Sequence, residues 1–232
     1  MFKTKNIIIY FLLTLLFGTF ILIGCKQTYI DFSTLSYVVF GDSITKPQKY
    51  APIPYSETVK DELGLKSVQN LGVSGTTLAY GVKDRGWIYE QLDTAGEADI
   101  ISLLGGVNDY SAGTKLGNID SDDVLTIYGG LKKIVGSLKE KYPNKFIFLM
   151  TPLKCISRTG KNSAGIDLED IAEAIKNVGK KYSILVLDLY NECEFSRSSD
   201  SETSDGLHPS QTFITKKLSP VIINFIKKYC KL

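Results

Sequence analysis

The stretch Ser36-Tyr-Val-Val-Phe-Gly-Asp-Ser-Ile-Thr45 decides how the rest of the chain is read. Tyr37–Phe40 is apolar without alternation, the pattern of a strand covered on both faces, whereas a strand with one wet face alternates. The run then stops on a glycine and two polar residues, Gly41, Asp42 and Ser43. Runs of the same kind recur at Ile100–Leu104, Phe146–Met150 and Ile184–Leu189, with a weaker one around Ser67–Asn70. Stripes at helical spacing lie between and after them. Val124, Ile127, Tyr128, Leu131, Ile134, Val135 and Leu138 form one; Leu168, Ile171, Ala172, Ile175 and Val178 form another; Ile214, Leu218, Val221, Ile222, Phe225 and Ile226 close the chain. Strands alternating with helices predict a three-layer α/β/α sandwich with a central parallel sheet and right-handed crossovers.

Composition agrees with a packed domain. Hydrophobic residues make up 44% and charged residues 22% of the 232, proportions that exclude a collagen, a coiled coil and a disordered tail. Setting aside Lys3 and Lys5, the only charges before position 26, leaves 25 basic against 25 acidic residues. A neutral domain carries no electrostatic argument for nucleic acid.

The first 24 residues read as a targeting segment, outside the fold. A basic start precedes an uncharged run from Ile7 to Gly24, which ends Leu22-Ile23-Gly24-Cys25. This ending resembles the lipobox of a bacterial lipoprotein signal peptide. The resemblance implies cleavage before Cys25, lipid on its sulfur and an extracytoplasmic protein held at the bacterial cell membrane. The other reading is an uncleaved N-terminal anchor, since the run is at the lower limit for crossing a bilayer. Residues 25–34 are then the lipidated cysteine and a tether, and residues 35–232 the domain. Cys155, Cys193 and Cys230 remain, with no spacing that suggests a zinc site. Cys155 and Cys193 each lie a few residues past runs expected to be neighbouring strands, so they are the pair for any disulfide. An environment that keeps thiols reduced would leave all three as small buried hydrophobes.

In an open parallel sheet, ligands sit outside the carboxyl ends of the strands. That rule brings Gly41-Asp42-Ser43, Asn70-Leu-Gly-Val-Ser-Gly75 and Gly105-Gly-Val-Asn-Asp109 to one rim. The chain has a single histidine, His208, in a polar turn with Asp205 three positions upstream. Across Gly206 the two side chains can meet, the carboxylate fixing the tautomer of the ring. Two serines compete as its nucleophile. Ser74, in Gly72-Val-Ser-Gly-Thr76, misses the G-x-S-x-G elbow because its second glycine comes one position early, whereas Ser43 follows the first strand directly.

Phe40-Gly-Asp-Ser-Ile44, Asn70-Leu-Gly-Val-Ser-Gly75, Gly105-Gly-Val-Asn-Asp109 and Asp205-Gly-Leu-His208 resemble, in order and spacing, the four sequence blocks of the SGNH hydrolases, or GDSL esterases and lipases. The resemblance runs over residues 36–228, with Ile44 standing where the family's name has leucine. It implies a flavodoxin-like sandwich and a serine esterase without cofactor or metal. Ser43 would be the nucleophile, His208 the base and Asp205 the acid orienting it. The Ser43 and Gly75 N–H groups and the Asn108 amide would form the oxyanion hole.

The remaining polar and aromatic features are ambiguous. Trp87 and Tyr89 could line an acyl or sugar subsite, but packing of Trp87, Ile88 and Leu92 on the sheet is the preferred reading. Asp120-Ser-Asp-Asp123 suggests a cation site less than it suggests carboxylates in the first turn of a helix. The loops 110–117 and 154–166 should flank the pocket, and Lys154, Arg158 and Lys161 give the second a positive edge. A binding lipoprotein that has lost its activity is disfavoured because Ser, His and Asn are all present. A nucleotide-binding protein is disfavoured because residues 41–46 hold no phosphate-loop pattern. The expected substrates are short acyl esters, acetyl above all, on small molecules or polysaccharide; a lysophospholipase of the same fold is the alternative. The domain is expected to act as a monomer.

Overall fold

The computed structural model describes residues 30–195 and 201–232. The expected signal segment and Cys25 lie outside them. The chain divides into Met1–Ile30 and Asp31–Leu232, and the fold is that of the second unit. Among the described residues no helix is long and apolar enough to cross a membrane.

Five strands, β1 (Ser36–Gly41), β2 (Ser67–Asn70), β3 (Ile100–Leu104), β4 (Phe146–Met150) and β5 (Leu185–Leu187), form one parallel sheet in the order β2-β1-β3-β4-β5. The unbroken apolar runs are the central strands: Val39, Phe40, Ile101, Leu103, Phe148 and Leu149 are fully buried. The weak run 67–70 is one edge strand. The other, β5, is shorter than the Ile184–Leu189 run, because Leu189 already opens the short helix α5 (Leu189–Glu192) and Leu185 is exposed.

Helices cover both faces. α1 (Tyr55–Leu63) packs with the C-terminal helix on one side, and α3 (Ile127–Lys141) packs with α4 (Leu168–Tyr182) on the other. The short α2 (Val107–Ala112) caps the end of β3. The stripe on α4 is buried as spaced, and its start is fixed by a capping box between Asp167 and Asp170. The closing stripe is one continuous helical run, α6 (Gln211–Phe213), a π turn (Ile214–Leu218) and α7 (Ser219–Tyr229). The wide turn sits just before Pro220, where a ring without an N–H would otherwise clash with the preceding turn.

Three expectations are corrected here. α3 begins at Ile127, capped by Thr126, so Asp120, Asp122 and Asp123 are not in its first turn. Asp120 pairs instead with Lys181 at 2.9 Å and Asp122 with Lys132 at 2.8 Å. The packing reading of Trp87, Ile88 and Leu92 holds for the last two and not fully for the first: Ile88 and Leu92 are buried in a 3₁₀ helix, Ile88–Asp93, that meets β1, while the half-buried indole of Trp87 donates to Leu78 O at 2.8 Å and stacks on Tyr89. Cys155 and Cys193 form no disulfide: they and Cys230 are free, buried thiols. The Cys155 thiol turns onto Leu153 O and feels Asp42, Arg158 and Asp205, whereas Cys193 feels Lys217, Glu202 and Glu192. The two sulfurs therefore look into different surroundings.

Two adjacent glycines in α3 explain how the rim is approached. A Cβ on Gly130 would collide with Leu78 O and one on Gly129 with Asp123 O. The loop after β2 thus lies against the bare first turns of α3, and its Tyr80 N–H donates to Val124 O.

Candidate active site

The turn after β1 is held from all sides before any chemistry is considered. Thr45 and Lys46 N–H donate to Asp42 O, and Ile44 N–H to Asp42 Oδ1. Gln48 Nε2 donates to Ser43 O at 2.7 Å. Asn70 donates to Thr45 O and accepts from Gly72 N–H, tying the loop after β2 to the serine turn. The strand end itself is clamped by the buried Gln91, which accepts from Gly41 N–H at 3.0 Å and donates to Gly41 O at 2.7 Å. Gly41 and Gly72 are glycines for lack of room. A Cβ on Gly41 would collide with Thr45 Oγ1 and Leu104 O, and one on Gly72 would lie 2.6 Å from Lys46 N.

Ser43 Oγ lies 2.9 Å from His208 Nε2, and His208 Nδ1 lies 2.6 Å from Asp205 Oδ2. The other carboxylate oxygen of Asp205 accepts from the His208 N–H at 2.7 Å and the Leu207 N–H at 2.9 Å. Partial burial pushes the Asp205 carboxyl up, but the hydrogen bonds from the His208 ring and these two N–H groups outweigh it and hold it at about 2. Gly206, at φ +71°, makes the tight turn that lets residues 205 and 208 meet, and its carbonyl accepts from Ser157 N–H. Ser74 is exposed and is not part of this chain of contacts.

Gly75 sits at φ +84°, a conformation that other residues rarely adopt. Neither its N–H nor that of Ser43 donates to a described residue. Asn108, buried in the first turn of α2, uses one amide hydrogen on Thr76 O at 2.9 Å. Thr76 Oγ1 in turn donates to Gly41 O at 3.3 Å. The segment 75–76, Asn108 and the end of β1 are therefore laced together at the rim. All the site residues expected from the sequence, apart from Cys25 and the two cysteines treated above, are brought to this place.

Three supporting residues had no role assigned from the sequence, although Asp109 closes the third block. Gln91 has been described. Asp109, fully buried, accepts from Leu78 N–H at 2.9 Å and Ala79 N–H at 3.0 Å and so pins the loop after β2. Burial raises its carboxyl to about 7 against the lowering effect of those two donors. Arg85 donates to Asn108 Oδ1 at 3.1 Å. Asp42, also buried, is pushed up to about 6 by burial, and its Oδ2 has no partner among the described residues.

The flanking loops are tied to each other. Tyr110 OH donates to Thr159 O and Gly160 O, and Asn162 Nδ2 donates to Tyr110 O. Two of the three charges on the expected positive edge have a carboxylate nearby, Lys154 near Glu194 and Lys161 near Asp170, while Arg158 donates to the neutral Ser111 Oγ. No group of His, Cys, Asp and Glu among the described residues could hold a metal ion.

A hydroxyl hydrogen bonded to an imidazole whose far nitrogen faces a carboxylate is equipment for nucleophilic catalysis, and N–H groups at the same rim with no acceptor among the described residues can receive negative charge. Fold and site together define a class, three-layer α/β/α sandwiches that bring a serine, a histidine and an aspartate into contact at the carboxyl rim of the sheet. The family model for GDSL-like lipases and acylhydrolases matches residues 39–212, and the chain belongs to that family. None of the curated proteins matches the sequence. Among solved structures, a protein from Lactobacillus plantarum is 22% identical, with a TM-score of 0.76 over 88% of this chain and 100% of its own. A possible lipase from Chitinophaga pinensis is 20% identical, with a TM-score of 0.68 over 84% and 98%. A variant of an acetyl-xylooligosaccharide esterase from Geobacillus is 18% identical, with a TM-score of 0.57 over 88% and 98%. At these identities the likeness is one of fold.

Proposed function

We propose that the protein is a serine esterase that removes short acyl groups, acetyl above all, from small molecules or carbohydrate through an acyl-enzyme. The observation that carries this reading is the unbroken contact from Ser43 Oγ through His208 to Asp205, at 2.9 and 2.6 Å. His208 Nε2 takes the Ser43 proton as Oγ bonds to the ester carbonyl carbon. The oxyanion is received by the Ser43 and Gly75 N–H groups and the second Asn108 amide hydrogen. Collapse breaks the bond to the leaving alcohol, which departs with the proton from His208. Water, deprotonated by the same ring, then attacks the acyl-enzyme and releases the acid and Ser43.

One likeness supports a small acyl group. A protein of the same fold acts on acetylated xylooligosaccharide. The Leu22-Ile23-Gly24-Cys25 ending supports an enzyme tethered by lipid at the outer face of a cell membrane. The test is a hydrolysis panel on residues 26–232: acetyl to octanoyl nitrophenyl esters, acetylated xylan and lysophospholipid. Acetyl esters should give the highest kcat/KM, with a fall beyond butanoyl. A preference for octanoyl esters or lysophospholipid would refute the short-acyl reading.

A further inference from the structure

Arg85 is an arginine without an ion pair among the described residues. Its guanidinium instead reaches into the rim, where one nitrogen donates to Asn108 Oδ1 at 3.1 Å and to Gly75 O at 3.4 Å. The same nitrogen is the nearest atom to the place where a side chain on Gly75 would begin, at 3.8 Å. Arg85 is half-buried and sits in the turn between the aromatic residues Tyr80 and Trp87, where its own N–H donates to Val82 O.

From this geometry we infer that Arg85 is a positioning residue, which holds the Asn108 amide, and braces residue 75 through its carbonyl, in the arrangement that receives the oxyanion. The inference rests on the serine esterase reading and adds to it a group outside the four sequence blocks. An asparagine amide is nearly symmetric in shape, so its orientation must be imposed by its partners. Thr76 O requires an N–H on its side at 2.9 Å, and Arg85 requires an oxygen on the other. The two demands agree, and together they leave one amide hydrogen free for substrate. A charged donor on Oδ1 also draws electron density from the amide, which makes the remaining N–H a better donor. With no carboxylate pairing it among the described residues, the positive charge acts where negative charge appears only in the transition state, so it should raise kcat and leave KM nearly alone.

Removing Arg85 deletes no direct donor, so its loss should cost less than the loss of Asn108. Arg85→Ala should lower kcat about 10- to 30-fold with KM within about threefold, against about 100-fold or more for Asn108→Ala. The decisive measurement is the double variant. In the Asn108→Ala background, Arg85→Ala should cost no more than about threefold, because most of its effect passes through the amide. Guanidinium ion at millimolar concentration should restore part of the kcat of Arg85→Ala and none of it in the double variant. Arg85→Lys, which can reach one acceptor but not hold both, should fall between the single variant and wild type. An undiminished loss in the Asn108→Ala background, or a change in KM without kcat, would overturn the positioning role while leaving the esterase reading intact. Wild type without activity on any ester would instead overturn the underlying reading and this inference with it.

Discussion

Replacing Asp205 by Asn tests how much of the chemistry depends on the far end of the triad. The carbonyl oxygen of Asn can still accept from the Leu207 and His208 N–H groups, at present 2.9 and 2.7 Å from Asp205 Oδ1, so the turn should persist. The amide nitrogen, however, takes the place of the oxygen 2.6 Å from His208 Nδ1. Two donors then face each other, and the ring relieves the conflict by carrying its proton on Nε2, where it can no longer accept from Ser43. The charge lost matters as well. A carboxylate and an imidazolium about 4 Å apart attract by roughly 4 kcal/mol in a partly buried setting and roughly 1 kcal/mol in water. With the Asp205 side chain 48% exposed, a value near the middle is appropriate, about 2–3 kcal/mol. That is about 30- to 150-fold in kcat, and the wrong tautomer carries the expected loss to between about 100- and 1,000-fold. Steady-state kinetics on an acetyl ester, with a melting curve to show that the fold is retained, supplies the number. A variant that keeps more than a tenth of the wild-type kcat would refute this account of Asp205.

Other consequences follow from buried groups and close contacts. Asp42 and Asp109 have carboxyls raised to about 6 and about 7 from 3.8, so the folded domain holds their protons where the unfolded chain has released them. Stability should therefore be fully present below about pH 4 as far as these groups are concerned and should fall as pH rises towards 7, by on the order of 3 kcal/mol for each carboxyl. Urea unfolding at pH 5 and pH 8 checks this, and Asp42→Asn should flatten the slope; a pH-independent midpoint would contradict it. In α3, Gly136→Ala places a Cβ in open space and should stabilise by about 1 kcal/mol through helix propensity, while Gly130→Ala should destabilise by about 1–3 kcal/mol because its Cβ meets Leu78 O. Thermal melts of both decide it, and equal signs would refute the close-approach explanation. Burial pushes the Cys155 and Cys193 thiols up to about 12, so neither should react with a disulfide reagent until the protein unfolds. Peptide mapping that found them bridged would restore the disulfide excluded above.

The fold was legible because burial on both faces removes alternation. Tyr37–Phe40, Ile100–Leu104 and Phe146–Met150 could be read as central parallel strands from their composition alone, and all three are. Edges were less legible: β5 stops at Leu187 because it has one neighbour and a helix begins at Leu189, and neither fact leaves a mark on hydropathy. The acidic residues 120–123 misled for a related reason. Carboxylates before an apolar stripe suit a helix start, but Thr126 supplies the cap and the lysines on α3 and α4 claim two of the charges. Within the candidate site, the meeting of Ser43, His208 and Asp205, with Gly75 and Asn108 at the same rim, could be expected because the rim rule and the four short blocks both point there. Asp109 stood in the third block without a role, and Gln91 and Arg85 in none; all three act through hydrogen bonds, spanning 31, 50 and 23 residues, and no local spacing announces a partner so far away. The cysteine pairing failed at the same level. Two loops on neighbouring strands can share a rim while their side chains turn to different surroundings.

Reaction of the folded protein with a fluorophosphonate, followed by intact mass and peptide mapping, tests the central claim most directly. One adduct per chain on Ser43, lost in Ser43→Ala together with ester hydrolysis while the melting curve stays within a few degrees, is the result the geometry predicts. Labelling of Ser74, no labelling at all, or full hydrolysis by Ser43→Ala would contradict it.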